Sequence, residues 1–245
     1  MARHAEIEVL GHGQVRQQRR FLADDGDAQL AGALGIAVHR LAAKPHRAAA
    51  RGQIADHLAG LAGEDGLEAE AILGVILDTL SPIWGEDRPT LGGRSLGDCW
   101  AHPQAPAPGF VPFHKLSQWL SYSLIEPMQR AGIEVTGLDR LTGLAEYRNG
   151  GLFLDAGVIA LRHPKEAAVP QSPDSPLIVE WRALTVVLLD KVAGLVRKRL
   201  KLTPEELPLA AVLEGGTWAT GRRLARRKRP GGTPPINILS TGTVF

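Results

Sequence analysis

Cysteine is almost absent from this chain of 245 residues: Cys99 stands alone. A single thiol forms no internal disulfide, so neither a disulfide framework nor a Cys-rich zinc module holds the fold together. Long apolar runs are missing too, and none approaches the roughly 18 residues that cross a bilayer. Residues 1–22 lack an apolar h-region and a cleavage site, so no secretory signal is visible and a cytoplasmic protein is the expectation. Neither sign of charge dominates. The 28 Lys and Arg stand against 26 Asp and Glu, which excludes a molecule that is basic all over in the manner of a general nucleic-acid binder. No glycine-rich dinucleotide fingerprint follows a strand. No apolar strand ends in two adjacent acids before a Gly/Thr loop, the feature a phosphoribosyltransferase needs for its ribose-phosphate donor.

Glycine and proline, in contrast, are abundant at 28 and 17 residues. They cluster without repeating, which predicts short helices joined by structured loops. Apolar residues at three- and four-residue spacing predict helices over 27–43, 53–61, 64–80 and 113–131, with Pro127 as a kink and Gly132 as a cap in the last. The strongest helix signal covers 174–200: Ser175 caps it, Pro176 takes its first position, and Arg197, Lys198 and Arg199 complement its C-terminal dipole. Thr203-Pro204-Glu205-Glu206 reads as a capping box opening a further helix, and 216–228 as a last, basic one. Residues 81–112 form a long loop that carries Trp84, Cys99 and Trp100. Only 236–240, with Val244-Phe245 as candidate partner, reads as strand. The expected fold class is mainly α: a multi-helix globular domain with long structured Gly/Pro loops and at most a short C-terminal strand pair. Residues 1–26 read as an irregular N-terminal segment and 27–245 as a single helical domain.

Four constellations carry chemistry. In Glu146-Tyr147-Arg148-Asn149-Gly150-Gly151, with Asp155 downstream, a carboxylate beside a fixed arginine stays ionised and is suited to activating water or stabilising an oxocarbenium-like centre. The arginine fork suits a phosphate. A helix end with a local ion pair and a glycine cap accounts for the same residues more simply. Glu180-Trp181-Arg182 puts two charges among apolar neighbours, so they either pair across a helix interface or face a ligand. Asp98, Cys99, His102 and His114 make a weak metal set and a weak thiol–histidine pair, and a small buried cysteine in a packed loop is the plainer account. Glu214-Gly215-Gly216-Thr217-Trp218 opens the last helix as an anion cradle or as a tight turn. The basic run from Arg222 to Arg229 that follows reads as a solvated cationic face without the aromatic interleaving of a nucleic-acid binder.

Taken in order, several longer stretches resemble a known family. They are Thr90-Leu91-Gly92-Gly93, Leu96-Gly97-Asp98-Cys99-Trp100, and the run from Val111 through His114-Lys115 to Leu120. The run from Leu141 through Glu146-Tyr147-Arg148 to Phe153, then Val179-Glu180-Trp181-Arg182-Ala183-Leu184 and Val212-Leu213-Glu214-Gly215-Gly216-Thr217-Trp218, complete the set. Together they resemble the family associated with ring-opening uracil catabolism in fungi and bacteria, often labelled uracil phosphoribosyltransferase. The resemblance runs from about Asp27 to Phe245, the C-terminal part of a longer family pattern. Residues 1–22 match no part of it, and Thr241-Gly242 stands where the family commonly has Asp-Gly. A shorter similarity to queuosine salvage proteins, which are helical nucleotide glycosidases, covers Phe113 to Gln118, Ala145 to Arg148 and Glu180 to Arg182. In that family an acid at the position matching Glu146 lies at the reacting sugar.

The resemblance implies a hydrolase that cleaves a C–N (N-glycosidic) bond of a ribosylurea-type intermediate or its phosphate. Glu146 would orient water or stabilise charge at the anomeric carbon, with Glu180 and Asp155 as alternative acids. Arg148, Lys115 and Arg182, with His114, would hold phosphate or carboxylate groups. Tyr147 and Trp181 would supply walls, and Gly215 and Gly216 backbone contacts. No cofactor and no metal is expected. The expected partner is a small nucleoside- or nucleotide-derived molecule, with no nucleic acid and no membrane. A non-catalytic or truncated pathway protein, and a true phosphoribosyltransferase, are the alternatives.

Overall fold

The computed structural model describes residues 7–9, 51–63, 66–80, 84 and 88–239. The helix expected over 27–43, and Val244-Phe245, lie outside the described residues. In chain order the elements are β1 (Ile7–Val9), α1 (Arg51–Leu61), β2 (Leu67–Glu68), α2 (Ala69–Leu80), β3 (Thr90–Leu91), β4 (Arg94–Ser95), β5 (Cys99–Ala101), β6 (Phe110–Pro112) and α3 (Lys115–Arg130). There follow β7 (Val135–Thr136), α4 (Tyr147–Asp155), β8 (Ile159–Leu161), α5 (Pro176–Leu200), α6 (Leu209–Ala211), a π-helical segment (Val212–Trp218) and α7 (Ala219–Lys228). The chain is mainly helical, and the described strands pair only two by two. Among the described residues no helix is long and apolar enough to cross a membrane.

The chain divides into two compact units where the sequence suggested one domain. The first comprises residues 30–99 and 114–142. Its core joins Ile72, Val75 and Ile76 of α2 to Leu58, Leu67, Met128, Val135 and Leu141. α2 begins at Ala69, later than the spacing predicted, because Leu67 and Glu68 pair in parallel with Val135 and Thr136. α3 starts from His114, whose backbone is left-handed at φ 47°. Asp98 fixes that start: its carbonyl accepts the His114 N–H at 3.1 Å and its carboxylate the Lys115 N–H at 3.0 Å. At the other end Gly132 donates to the Gln129 carbonyl and Ile133 to that of Met128, the Schellman closure expected of a glycine just past the helix.

The second unit comprises residues 1–29, 100–113 and 143–245. Its central element is α5, in which Ile178, Trp181, Arg182 and Leu189 are fully buried. The Ser175 hydroxyl accepts the Ile178 N–H and Pro176 sits at the first position, as the sequence predicts. β1 pairs antiparallel with β8, with Ile7 opposite Leu161, so the irregular segment expected at the N-terminus contains a strand. Three residues are too few to display a period of two, which is why alternation did not reveal it. The Thr203–Glu206 box forms both reciprocal bonds, at 2.8 and 3.2 Å, yet closes a turn and not a helix. Pro208 disfavours helix at the residue before it, and the helix restarts at Leu209. The strand expected at 236–240 is reduced to one parallel bridge between Gln171 and Ile238.

Candidate functional site

The richest collection of candidate groups surrounds the start of α4. Glu146 is its N-cap, in extended conformation, and its Oε1 accepts the Asn149 N–H at 2.6 Å. Glu146 therefore begins a helix, where the simpler sequence reading had a helix ending. Its Oε2 lies 3.5 Å from Arg148 Nη1. Asn149 is buried; its amide donates to the Leu144 carbonyl at 3.1 Å, and its Oδ1 accepts from the Thr217 hydroxyl at 2.9 Å. That last bond ties α4 to the π-helical segment.

Two glycines set these distances. A Cβ on Gly150 would lie 2.6 Å from Thr185 Oγ1 and 2.8 Å from Trp181 Nε1, so only glycine lets α4 pack this closely on α5. A Cβ on Gly221 would collide with the Arg148 carbonyl oxygen and stand 3.0 Å from its carbon. Gly221 thus brings α7 onto the backbone that carries Arg148.

The Arg148 guanidinium lies 4.3 Å from the centre of the Tyr147 ring and 5.4 Å from that of Trp218. Arg222 lies 4.6 Å from the same indole. Tyr147, Arg148, Gly151 and Asp155 of α4, Gly221, Arg222, Ala225 and Arg226 of α7, and the turn 231–235 enclose a cleft of about 150 Å³. A shallow hollow of about 540 Å³ adjoins it along Trp218, Arg222, Arg223, Arg226 and Arg227.

The structure distributes the remaining sequence candidates differently. Both oxygens of Asp155 are engaged by Arg229, at 2.6 and 2.5 Å, which makes it a structural anchor in the cleft wall. Arg182 is fully buried; its Nε donates to the Ala145 carbonyl at 3.2 Å and its guanidinium lies 4.1 Å from the centre of the Phe113 ring. It fixes the backbone next to Glu146. Trp181 is fully buried against Gly150, and Glu180 is half-buried on α5. Glu146, Glu180, Trp181 and Arg182 do not line the cleft. Gly215 and Gly216 do not open a helix: they sit in mid-helix, inside the π-helical segment between α6 and α7. The backbone N–H groups there belong to a running helix, so the cradle expected at a helix N-terminus does not form. His114 and Lys115 belong to the other unit, at the start of α3.

Cys99 is buried, and burial, followed by the nearby Asp98 charge, pushes its thiol up to about 12. A thiol so protonated is not a nucleophile at neutral pH. His102 Nδ1 accepts the Gln104 N–H at 3.2 Å. Among the described residues no group of three His, Cys, Asp or Glu side chains converges as metal ligands would.

Fold and site define a mainly helical protein whose arginine- and aromatic-lined cleft is built on a carboxylate-capped helix. The chain belongs to the family described as protein of unknown function (DUF1688), whose family model matches residues 4–245. That match takes in the segment before Asp27, which the motif resemblance left out. The chain is 48% identical over 169 residues to "Protein urg3" of Schizosaccharomyces pombe, covering 68% of this chain and 42% of that protein. It is 34% identical over 262 residues to "Uracil catabolism protein 4" of Lachancea kluyveri, covering 95% of this chain and 59% of that one. The chain thus spans about half the length of these curated relatives. No solved structure matches it.

Proposed function

We propose that this chain acts in uracil catabolism as a hydrolase of the C–N bond between ribose and a urea-type leaving group. One observation carries the reading: Glu146 and Arg148 pair across the first turn of α4, and Arg148, in the cleft wall, is held over Tyr147 of the same wall and over Trp218 of the adjoining hollow. In the reaction water adds to the anomeric carbon, the C–N bond breaks, and the departing nitrogen takes up a proton. The Oε2 edge of Glu146 faces Arg148 and would orient that water and offset the positive charge developing on the sugar. Arg182 would act through the Ala145 carbonyl to keep Glu146 in place.

Glu146→Gln separates chemistry from capping, because the amide oxygen still accepts the Asn149 N–H while the charge is lost. The expected result is release of urea from ribosylurea or its 5′-phosphate at least about a hundredfold slower, with melting temperature unchanged, the size of a lost general base. Full turnover in that variant would assign Glu146 to capping alone, a role its Oε1 bond already supports.

A further inference from the structure

The Trp218 indole carries two guanidinium groups at once, Arg148 on one side of the sequence and Arg222 on the other, at 5.4 and 4.6 Å from its centre. Arg226 stands one turn beyond Arg222 on α7 and lines the same cleft. Three cations therefore border about 150 Å³. The carboxylates nearby do not balance them. Asp155 gives both oxygens to Arg229, and Glu146 stands 3.5 Å from Arg148 with its other oxygen on a backbone N–H. Among the described residues no carboxylate lies within ion-pair reach of Arg222 or Arg226. Like charges gathered around one small space repel, and a bound anion with oxygens on several faces relieves that repulsion.

We propose that this cleft is a phosphate site, formed by Arg148, Arg222 and Arg226, that takes the 5′-phosphomonoester of the substrate. The size favours an anionic group and not a whole ligand: pockets that enclose drug-sized molecules run to roughly 300–1,000 Å³. The ribose would then lie outside the cleft, and the substrate class narrows from ribosylurea compounds to their phosphates. This step rests on the reading of a ribosyl substrate above.

The test is binding by the full chain, read by calorimetry and thermal shift, with inorganic phosphate, ribose 5-phosphate, free ribose, and acetate at matched ionic strength. Phosphate and ribose 5-phosphate are expected to bind and raise the melting temperature, while ribose and acetate do not. Arg226→Gln and, separately, Arg222→Gln are expected to weaken ribose 5-phosphate at least about tenfold, the loss of a charge-assisted contact. Arg223→Gln and Arg227→Gln, on the same helix but not lining the cleft, are expected to leave affinity within about twofold, since they make no direct contact with an anion held there and act on it only through screened solvent. An equal effect from all four would put the anion on the open helix face and overturn the assignment, as would equal binding of acetate or no binding of phosphate. Turnover of unphosphorylated ribosylurea without phosphate binding would sink this inference and leave the hydrolase standing; phosphate binding without any turnover would do the reverse.

Discussion

At the scale of single residues, what matters around the cleft is what the side chains are not. Gly221 permits α7 to touch the Arg148 backbone, whereas a Cβ on Gly194, in the exposed part of α5, would meet nothing within 4 Å beyond its own helix. The same substitution should therefore have opposite signs at the two sites. Gly194→Ala removes backbone freedom from the unfolded chain and is expected to raise stability by about 0.5–1 kcal/mol. Gly221→Ala gains the same propensity but forces α7 away from α4, and is expected to lower stability by about 1–3 kcal/mol net. Urea unfolding monitored by far-UV circular dichroism reads both, and equal signs would overturn the packing account. Sequence inspection found the Glu146–Arg148 pair because both partners lie in one short motif. Arg222 and Arg226 read in sequence as solvated charge: Trp218 lies one helical turn before Arg222 and that pair is local, but Arg148 and the turn 231–235, which complete the cleft, converge on them only through tertiary packing.

At the scale of elements, legibility followed how local the governing contact was. α5 was readable from Ser175 and Pro176 because a cap and a fixed φ act within one turn. The Thr203–Glu206 box was readable as bonding and misleading as structure, because Pro208 vetoes the helix those bonds would begin. The π-helical segment left no sequence signal beyond its two glycines. It is fixed from outside, through the Thr217 hydroxyl on buried Asn149. Extra-residue turns of this kind recur at functional sites, and here the turn positions Trp218. Thr217→Val keeps the shape and leaves Asn149 Oδ1 without its donor, so it is expected to cost about 1–3 kcal/mol. Thr217→Ser keeps the hydroxyl and should cost less than half as much. Calorimetric unfolding of the two variants against the parent checks this, and a larger loss in Thr217→Ser than in Thr217→Val would show that the methyl group and not the hydroxyl holds the segment.

At the scale of the whole molecule, the helical class was plain from composition and spacing, whereas the division into two units was not, because each unit is assembled from separated stretches of chain. The unit that holds the cleft is closed by residues 229–239. The Arg229 Nε donates to the Thr233 carbonyl at 2.7 Å while its other nitrogens grip Asp155. Pro235 then lies against Gly151, Ile236 is fully buried, and Asn237 and Leu239 exchange backbone bonds with Ala167 and Gln171. The reading of this stretch as a strand recognised its apolar, β-branched character but not that single bonds to a loop would hold it. Asp155 is therefore a clamp for the closing segment before it is anything chemical. The Asp155 and Arg229 side chains are 4% and 24% exposed, so removing one partner strands a largely buried charge. Asp155→Asn and Arg229→Gln are each expected to cost about 3–5 kcal/mol, and the double variant clearly less than their sum. Because the same segment forms the wall beside Arg226, each single variant should also weaken ribose 5-phosphate binding. A double-mutant cycle by urea unfolding, run beside the urea-release assay, distinguishes clamp from acid. Loss of turnover in Asp155→Asn at unchanged stability would make Asp155 a catalytic acid, whereas parallel losses in the Asp155 and Arg229 variants make it the latch that shapes the cleft.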